Sequence, residues 1–392
     1  MASRYNNIAD KRLAQIMDAY PSVSDLARKA RRRIPNVAWQ YLESGTGAEH
    51  AMIRNREALD RMTFLPRFVK GKIDANLETE LLGKTYAAPF GIAPMGLCGL
   101  VWPDMERIFA RTAKKRGIPY TLSTVATQTP ETIVPEVGDM GWFQLYPPKD
   151  PEIRKKMLER AQNAGFHTLI VTADVPTPSR REASRKAGLT VPPKINLKMI
   201  WEGATHPWWS FEILRHGLPR LRFVESFSPK KDLKSAANYA RFKFRGDLDW
   251  DYIRTVKDLW KGPVVLKGLL HPGDAELAMQ HGVDAVVVSN HGGRQFDGAP
   301  GAIEALPAVV KAVNGKIPVI FDSGIRTGLD VLRAISLGAD FVLIGRPYLY
   351  GVAALGKHGG EHVTNIFMED VTNNLKQIGI ATPLEIRSTS TS

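Results

Sequence analysis

The stretch Ser289-Asn290-His291-Gly292-Gly293-Arg294-Gln295 sets an imidazole and a guanidinium three residues apart on a turn loosened by two glycines. It follows Ala285-Val286-Val287-Val288, an unbroken apolar run of the kind found in strands buried on both faces. An imidazole takes up and releases a proton near neutral pH, and a guanidinium grips an anion through paired N–H donors. The stretch therefore offers a base beside an anion clamp. Other apolar runs also end in reactive groups: Thr172 and Asp174 close TLIVTAD, Gln144 and Tyr146 close GWFQLY, and Lys267 closes GPVVLKG. Asp322 and Arg346 stand at the ends of PVIFDSG and FVLIGR.

Chemistry placed in this way needs a scaffold that gathers strand ends. With PFGIAPMG (89–96) and PYTLSTVA (119–126), the runs at 141–146, 168–174, 262–268, 285–293, 318–324 and 341–346 make eight. Segments of 3.6-residue periodicity, such as MERIFARTAKKRG and GLDVLRAISLGAD, separate most of them and end at glycine. Alternation of apolar strands and helices predicts an α/β fold, a (β/α)8 TIM barrel, with a doubly wound open sheet as the second choice. In a barrel the carboxyl ends of the strands share one face, and that face carries the site.

Two segments fall outside the repeat. Residues 1–85 read as an N-terminal helical cap (SDLARKARRRI, NVAWQYLESG and HAMIRNREALDRM) joined to the barrel of 86–392 by an irregular connection. Residues 175–261 form a long insertion after the fourth strand, far beyond an ordinary crossover. Within it, 200–227 interleaves Trp208, Trp209, Phe211, Ile213, Leu214, Leu218, Leu221 and Phe223 with Arg215, Arg220 and Arg222. Such a stretch suits a membrane interface, or a lid or subunit contact over the barrel mouth.

A net charge of +13 is compatible with nucleic acid, an anionic membrane or an anionic substrate. The basic residues come in short groups (28–33, 114–116, Lys230-Lys231) with no nucleic-acid motif, so nucleic acid is set aside. A single cysteine, Cys98, excludes an intrachain disulfide and a cysteine-based zinc site, and no metal site is expected. No run reaches the roughly 18 apolar residues of a spanning helix and the N-terminus has no signal-like core. The expected location is cytoplasmic, soluble or peripheral on the inner face of the cell membrane. GVAALGKH (351–358) matches phosphate-loop spacing only as far as its lysine, and it reads as the start of the closing helix. No Gly-x-Gly-x-x-Gly follows a strand, which argues against a Rossmann NAD site.

From about Asp25 to Gly379 the chain resembles the FMN-dependent (S)-2-hydroxy acid oxidases and dehydrogenases, the family of glycolate oxidase, L-lactate dehydrogenase and (S)-mandelate dehydrogenase, with SNHGGRQ as the signature. The resemblance implies that His291 is the catalytic base and that Asp174 supports its imidazolium. It implies that Arg294 and Arg181, seven residues after Asp174, hold the substrate carboxylate with Tyr41 and Tyr146. For the FMN it implies Ala93, Pro94, Met95, Ser123, Gln144, Thr172, Lys267 and Ser289. Asp322, Gly324, Arg326, Gly345 and Arg346 would lie at its phosphate end.

Two positions bear on specificity. Val125 stands where glycolate oxidases have tryptophan, which leaves room for lactate, a longer-chain 2-hydroxy acid or mandelate. Gly96 is typical of the mandelate-type dehydrogenases, where oxidases tend to have alanine. The expected reaction is oxidation of an (S)-2-hydroxy acid to the 2-oxo acid, with electrons passed to a quinone or other carrier. An oxygen-using oxidase that makes hydrogen peroxide is the alternative, followed by a different FMN or phosphate-binding barrel and a non-catalytic membrane-binding barrel. By family analogy the assembly is a homotetramer. Removal of the α-hydrogen as a proton and its removal as a hydride use the same residues.

Overall fold

A computed structural model describes residues 15–189, 197–228 and 246–388. Lys230-Lys231 and parts of the cap and insertion lie outside the described residues. Three helices, α1 (Val23–Arg33), α2 (Asn36–Glu43) and α3 (His50–Asp60), lead into an antiparallel hairpin, β1 (Thr79–Leu81) and β2 (Lys84–Tyr86). The sequence reading has an irregular connection where this hairpin forms, and β2 crosses the expected 85/86 boundary.

Eight parallel strands then close into a barrel. They are β3 (Phe90–Met95), β4 (Tyr120–Ser123), β5 (Gly141–Leu145), β6 (Thr168–Thr172), β7 (Val264–Leu269), β8 (Ala285–Val288), β9 (Val319–Phe321) and β10 (Phe341–Ile344). Each pairs with its chain neighbour and β10 pairs with β3, so the fold is a closed (β/α)8 barrel.

Side chains on a strand alternate between faces, and here the period of two sorts core from chemistry. Trp142, Ile170, Val265, Val287, Ile320, Phe341 and Leu343 fill the barrel interior. Two residues further along their strands stand Gln144, Thr172, Lys267, Ser289, Asp322 and Gly345, on the same face and nearer the carboxyl ends. Their alternates, such as Leu169, Val171, Leu266, Val286 and Val288, pack under the surrounding helices. The hairpin stoppers the opposite end: Leu81 and Tyr86 join the interior cluster, and Trp142 Nε1 donates to the Tyr86 hydroxyl at 3.0 Å.

Residues 351–358 finish the helix Arg346–Leu355 and form a short 3-10 turn, and the closing helix starts at Gly359 rather than within the motif. Cys98 is buried, donates to the Met95 carbonyl at 3.2 Å, and its thiol is pushed well up by burial.

Candidate active site

After β8 the chain turns through three consecutive residues of positive φ, His291 (58°), Gly292 (65°) and Gly293 (73°). Only the glycines adopt this conformation freely. At Gly293 a Cβ would also stand 2.7 Å from the Met52 nitrogen of α3, so glycine is required twice over. The His291 N–H donates to Ser289 Oγ at 3.0 Å and the Gly292 N–H to Ser323 Oγ at 3.0 Å, which fixes the turn.

This brings His291 Nδ1 to 2.8 Å from Asp174 Oδ1. Gly268 makes the approach possible, because a Cβ there would stand 2.6 Å from Asp174. Burial raises the Asp174 carboxyl's pKa, but His291 and Lys267 outweigh it and hold the pKa below the usual carboxylate value. An ionised carboxylate only accepts, so Nδ1–H is the donor and Nε2 keeps its lone pair on a ring that lines the cavity. For His291, burial is the largest influence and lowers its pKa below the ordinary 6.5; Asp174 opposes this, while Lys267 and Arg181 add to it. The imidazole is therefore neutral, and able to accept a proton, at pH 7.

A depressed pKa extends the proton-accepting form toward acid. Turnover measured as kcat/KM should therefore be flat through neutral pH and fall only on the acid side, with an apparent pKa below 6.5. A pH profile with its acid limb above 7 would contradict this assignment.

Guanidinium groups crowd the same mouth. Arg294 donates to the carbonyls of Tyr41 (2.8 Å), Leu42 (3.2 Å) and Ser44 (3.0 Å) at the carboxyl end of α2, and lies over the Tyr41 ring. Arg346 shares two of those carbonyls, Leu42 and Ser44, and reaches the Gly292 carbonyl at 3.0 Å. Arg181 opens the short helix Glu182–Lys186; its Nε donates to Ser179 Oγ, while its terminal nitrogens have no hydrogen bond or ion pair among the described residues. Burial, with Arg181 and Arg346 close by, forces the Arg294 pKa well down. Three cations so placed favour an anion between them. Tyr41 and Tyr146 line the same cavity, their phenols held protonated by burial, and the Tyr41 hydroxyl donates to the Gly96 carbonyl at 2.6 Å.

The far wall of this cavity of about 560 Å³ is Ala93, Pro94, Met95 and Gly96 from β3 and the turn after it. Lys267, buried, reaches Asp322 Oδ2 at 2.9 Å and Ser289 Oγ at 2.9 Å. Burial disfavours its charge, but Asp322 and Asp174 outweigh that and raise its pKa. Asp322 thus stands paired with a lysine, and it lines the same cavity as Gly324, Arg326, Gly345 and Arg346, on the loop it shares with Gly324 and Arg326. Ser123, Gln144 and Thr172 lie behind the cavity wall as a chain, Ser123 Oγ to Gln144 Oε1 at 2.7 Å and Gln144 Nε2 to Thr172 Oγ1 at 2.9 Å. Asp174 and Ser289 likewise act from behind, on His291 and Lys267.

Asn55 is absent from the sequence reading. It exchanges two amide hydrogen bonds with Asn290, each 2.8 Å, and so ties α3 to the signature turn. Its signal was legible: a polar residue on the buried stripe of α3 with Ala51, Ala58 and Leu59. The insertion also reaches the site, where Val175, Leu189 and Leu221 give the cavity an apolar side.

A family model described as FMN-dependent dehydrogenase matches residues 30–392. The chain is 37% identical over 369 residues to an L-lactate dehydrogenase of Pectobacterium atrosepticum, covering 94% of this chain and 95% of that one. It is 38% identical over 350 residues to an L-lactate dehydrogenase of Stenotrophomonas maltophilia, covering 89% and 92%. Among solved structures it superposes on a monotopic membrane protein, (S)-mandelate dehydrogenase, with a TM-score of 0.88 and 34% identity, covering 93% of this chain and 97% of that one. A mandelate oxidase gives a TM-score of 0.81 at 32% identity, covering 95% and 98%.

Proposed function

The chain belongs to the FMN-dependent dehydrogenase family and oxidises an (S)-2-hydroxy acid, and on that premise we propose that His291 is the base and Arg181 and Arg294 the carboxylate clamp. The observation that carries this reading is the His291 imidazole, held 2.8 Å from Asp174 beside guanidinium groups that converge on one cavity. Two arginines fix the substrate carboxylate, and Tyr41 and Tyr146 orient the reacting end from the same wall. Nε2 of His291 takes the proton that leaves the substrate, and Asp174 stabilises the imidazolium that results.

The residues fit FMN. Ala93, Pro94 and Met95 offer a flat apolar wall, Lys267 a buried fixed cation, and Gln144 and Thr172 buried polar groups aligned on neighbouring strands. Gly345 N-caps the helix Arg346–Leu355 without a side-chain cap, so the positive end of that helix, with Arg326 and Gly324, suits a phosphate. Asp322, ion-paired and uncharged in sum with Lys267, suits hydroxyl groups between the two ends. When bound, FMN accepts the two electrons that leave with the α-hydrogen. Lys267 supplies positive charge where negative charge then develops.

The substrate carries more than a methyl group. Val125, Val175, Leu189 and Leu221 form the apolar side of the cavity, and burying an aromatic or longer aliphatic side chain against them is favourable. Gly96 and Val125 act as one unit here: a Cβ at Gly96 would stand 2.5 Å from Val125 Cγ2. Gly96→Ala should therefore impair oxidation of bulky acids, and Val125→Ala added to it should restore activity. The coupling in a double-mutant cycle should be about 1–2 kcal/mol. Additive effects would show that the two side chains do not compete for space.

The acceptor is a quinone or another carrier reached at a membrane surface. The insertion supports this by dividing its apolar residues: Trp209, Leu221 and Phe223 are buried and anchor it, while Trp208, Phe211, Leu214 and Leu218 face outward. No helix among the described residues is long and apolar enough to cross a membrane, so the contact is peripheral. The test is to reduce the flavin anaerobically with (S)-lactate, (S)-2-hydroxyoctanoate or (S)-mandelate and then admit air or a quinone. Faster bleaching by the two bulkier acids and faster reoxidation by quinone are expected. Rapid turnover with oxygen would instead favour the oxidase.

A further inference from the structure

We propose that a basic cavity between α1 and the insertion binds the phosphate headgroup of an anionic phospholipid, a proposal that rests on the membrane contact argued above. This cavity, of about 770 Å³, shares no lining residue with the active site. Arg28, Lys29, Arg32 and Arg33 line it from α1, and His206 and His358 approach from the insertion and the 3-10 turn. On a helix the spacing 28, 29, 32, 33 forms one stripe, because positions three and four apart are neighbours. The buried stripe of α1 is the separate set Val23, Leu26 and Ala30, so the basic stripe is not a by-product of core packing.

Four cations line the cavity with one carboxylate, Asp25, and Glu212 lies close enough to Arg33 to favour its charge. Asp25 lines the cavity, but it caps α1 through Ser22 and pairs with Arg28. Arg33 is held over the Trp102 ring and donates to the Ala354 carbonyl at 2.6 Å, so it cannot swing away from its neighbours. Lys29 donates to the Tyr20 hydroxyl. Arg32 makes no ion pair among the described residues and is exposed. With Arg33 fixed at the base of the stripe, an anion that contacts several of these like charges at once is attracted to it.

The rim identifies the source of the anion. Trp208 belongs to the cavity lining and is also 68% exposed, and its own helix and the one before it in the insertion carry further outward apolar side chains, Trp201 at 69%, Ile200 at 58% and Leu214 at 85% exposed. A free phosphate or a nucleic acid would satisfy the cations and leave these side chains in water. A phospholipid satisfies both, with its phosphate in the cavity, its acyl chains over the leucine and isoleucine side chains, and tryptophan at the boundary where its ring is best accommodated.

The experiment is co-sedimentation of the full-length, FMN-loaded protein with vesicles of phosphatidylcholine alone or with added phosphatidylglycerol. Arg28→Glu/Arg32→Glu should weaken binding to the phosphatidylglycerol vesicles by roughly tenfold or more, since each basic group near an anionic surface contributes substantially. A charge-matched control, Lys155→Glu/Lys156→Glu on the exposed side of helix Pro151–Ala164, should bind like the parent protein. Trp208→Ala/Leu214→Ala should weaken binding to both vesicle types. Flavin bleaching by the hydroxy acid should be unchanged in all three, which shows that they fold. Parent-like binding by Arg28→Glu/Arg32→Glu, or an equal loss in the lysine control, would overturn the headgroup site. If the parent protein binds neutral and anionic vesicles equally, the headgroup site falls and the membrane contact stands. If it binds neither, both fall.

Discussion

Replacing His291 with glutamine is expected to lower kcat/KM for an (S)-2-hydroxy acid by about 10²- to 10⁴-fold, the usual contribution of a positioned base, while FMN stays bound. Glutamine has an amide N–H that can donate to Asp174, so the buried carboxylate keeps a partner and the fold should survive. What glutamine cannot do is take a proton at neutral pH. The defect should therefore appear as slow bleaching of the flavin at saturating substrate, with KM little changed. A loss smaller than tenfold would mean that another group takes the proton, and that the Asp174–His291 pair is structural.

The second large effect is expected at Arg294. Its guanidinium spans three carbonyls at the carboxyl end of α2 and stacks on Tyr41, a geometry that a lysine ammonium cannot reproduce. Arg294→Lys should lower kcat/KM for the acid on the order of 10²-fold, because a reactant displaced by even about 1 Å loses that much. The control is the methyl ester of the same hydroxy acid, which has no carboxylate. If Arg294 grips the substrate, the acid should lose far more than the ester. Equal losses for both would assign Arg294 to holding α2 in place and nothing more.

These expectations draw on different amounts of sequence information. The eight strands and the face they share were legible because burial on both sides leaves uninterrupted apolar runs, and because a period of two carries Val265 to Lys267 and Ile320 to Asp322 on the interior face. The hairpin was not legible, since two strands of three residues, Thr79–Leu81 and Lys84–Tyr86, are too short for alternation to register. Their role as the barrel's stopper appears only when Tyr86 meets Trp142.

Within the site, His291, Arg294 and Lys267 could be picked out because each ends a strand pattern with a group that has no place in a core. The pairing of Asp322 with Lys267 depends on strands β7 and β9 on either side of β8, and no local spacing encodes it. The same holds for Arg294 and Arg346, which share carbonyls about 250 and 300 residues away in the chain. The insertion was legible as amphipathic, but not which of its aromatics would point inward. Neighbouring Trp208 and Trp209 take opposite fates, one exposed and one donating to the Leu100 carbonyl at 3.2 Å.

The most direct test of the account is anaerobic mixing of the purified, FMN-loaded protein with the separate enantiomers of mandelate and of 2-hydroxyoctanoate, followed by the visible absorbance of the flavin. Membership of the family predicts rapid bleaching by the (S) forms and little by the (R) forms, and the pairing of His291 with Asp174 predicts near-complete loss of bleaching in His291→Gln. A protein that takes up no FMN, or whose flavin is bleached as fast without the imidazole as with it, would contradict it.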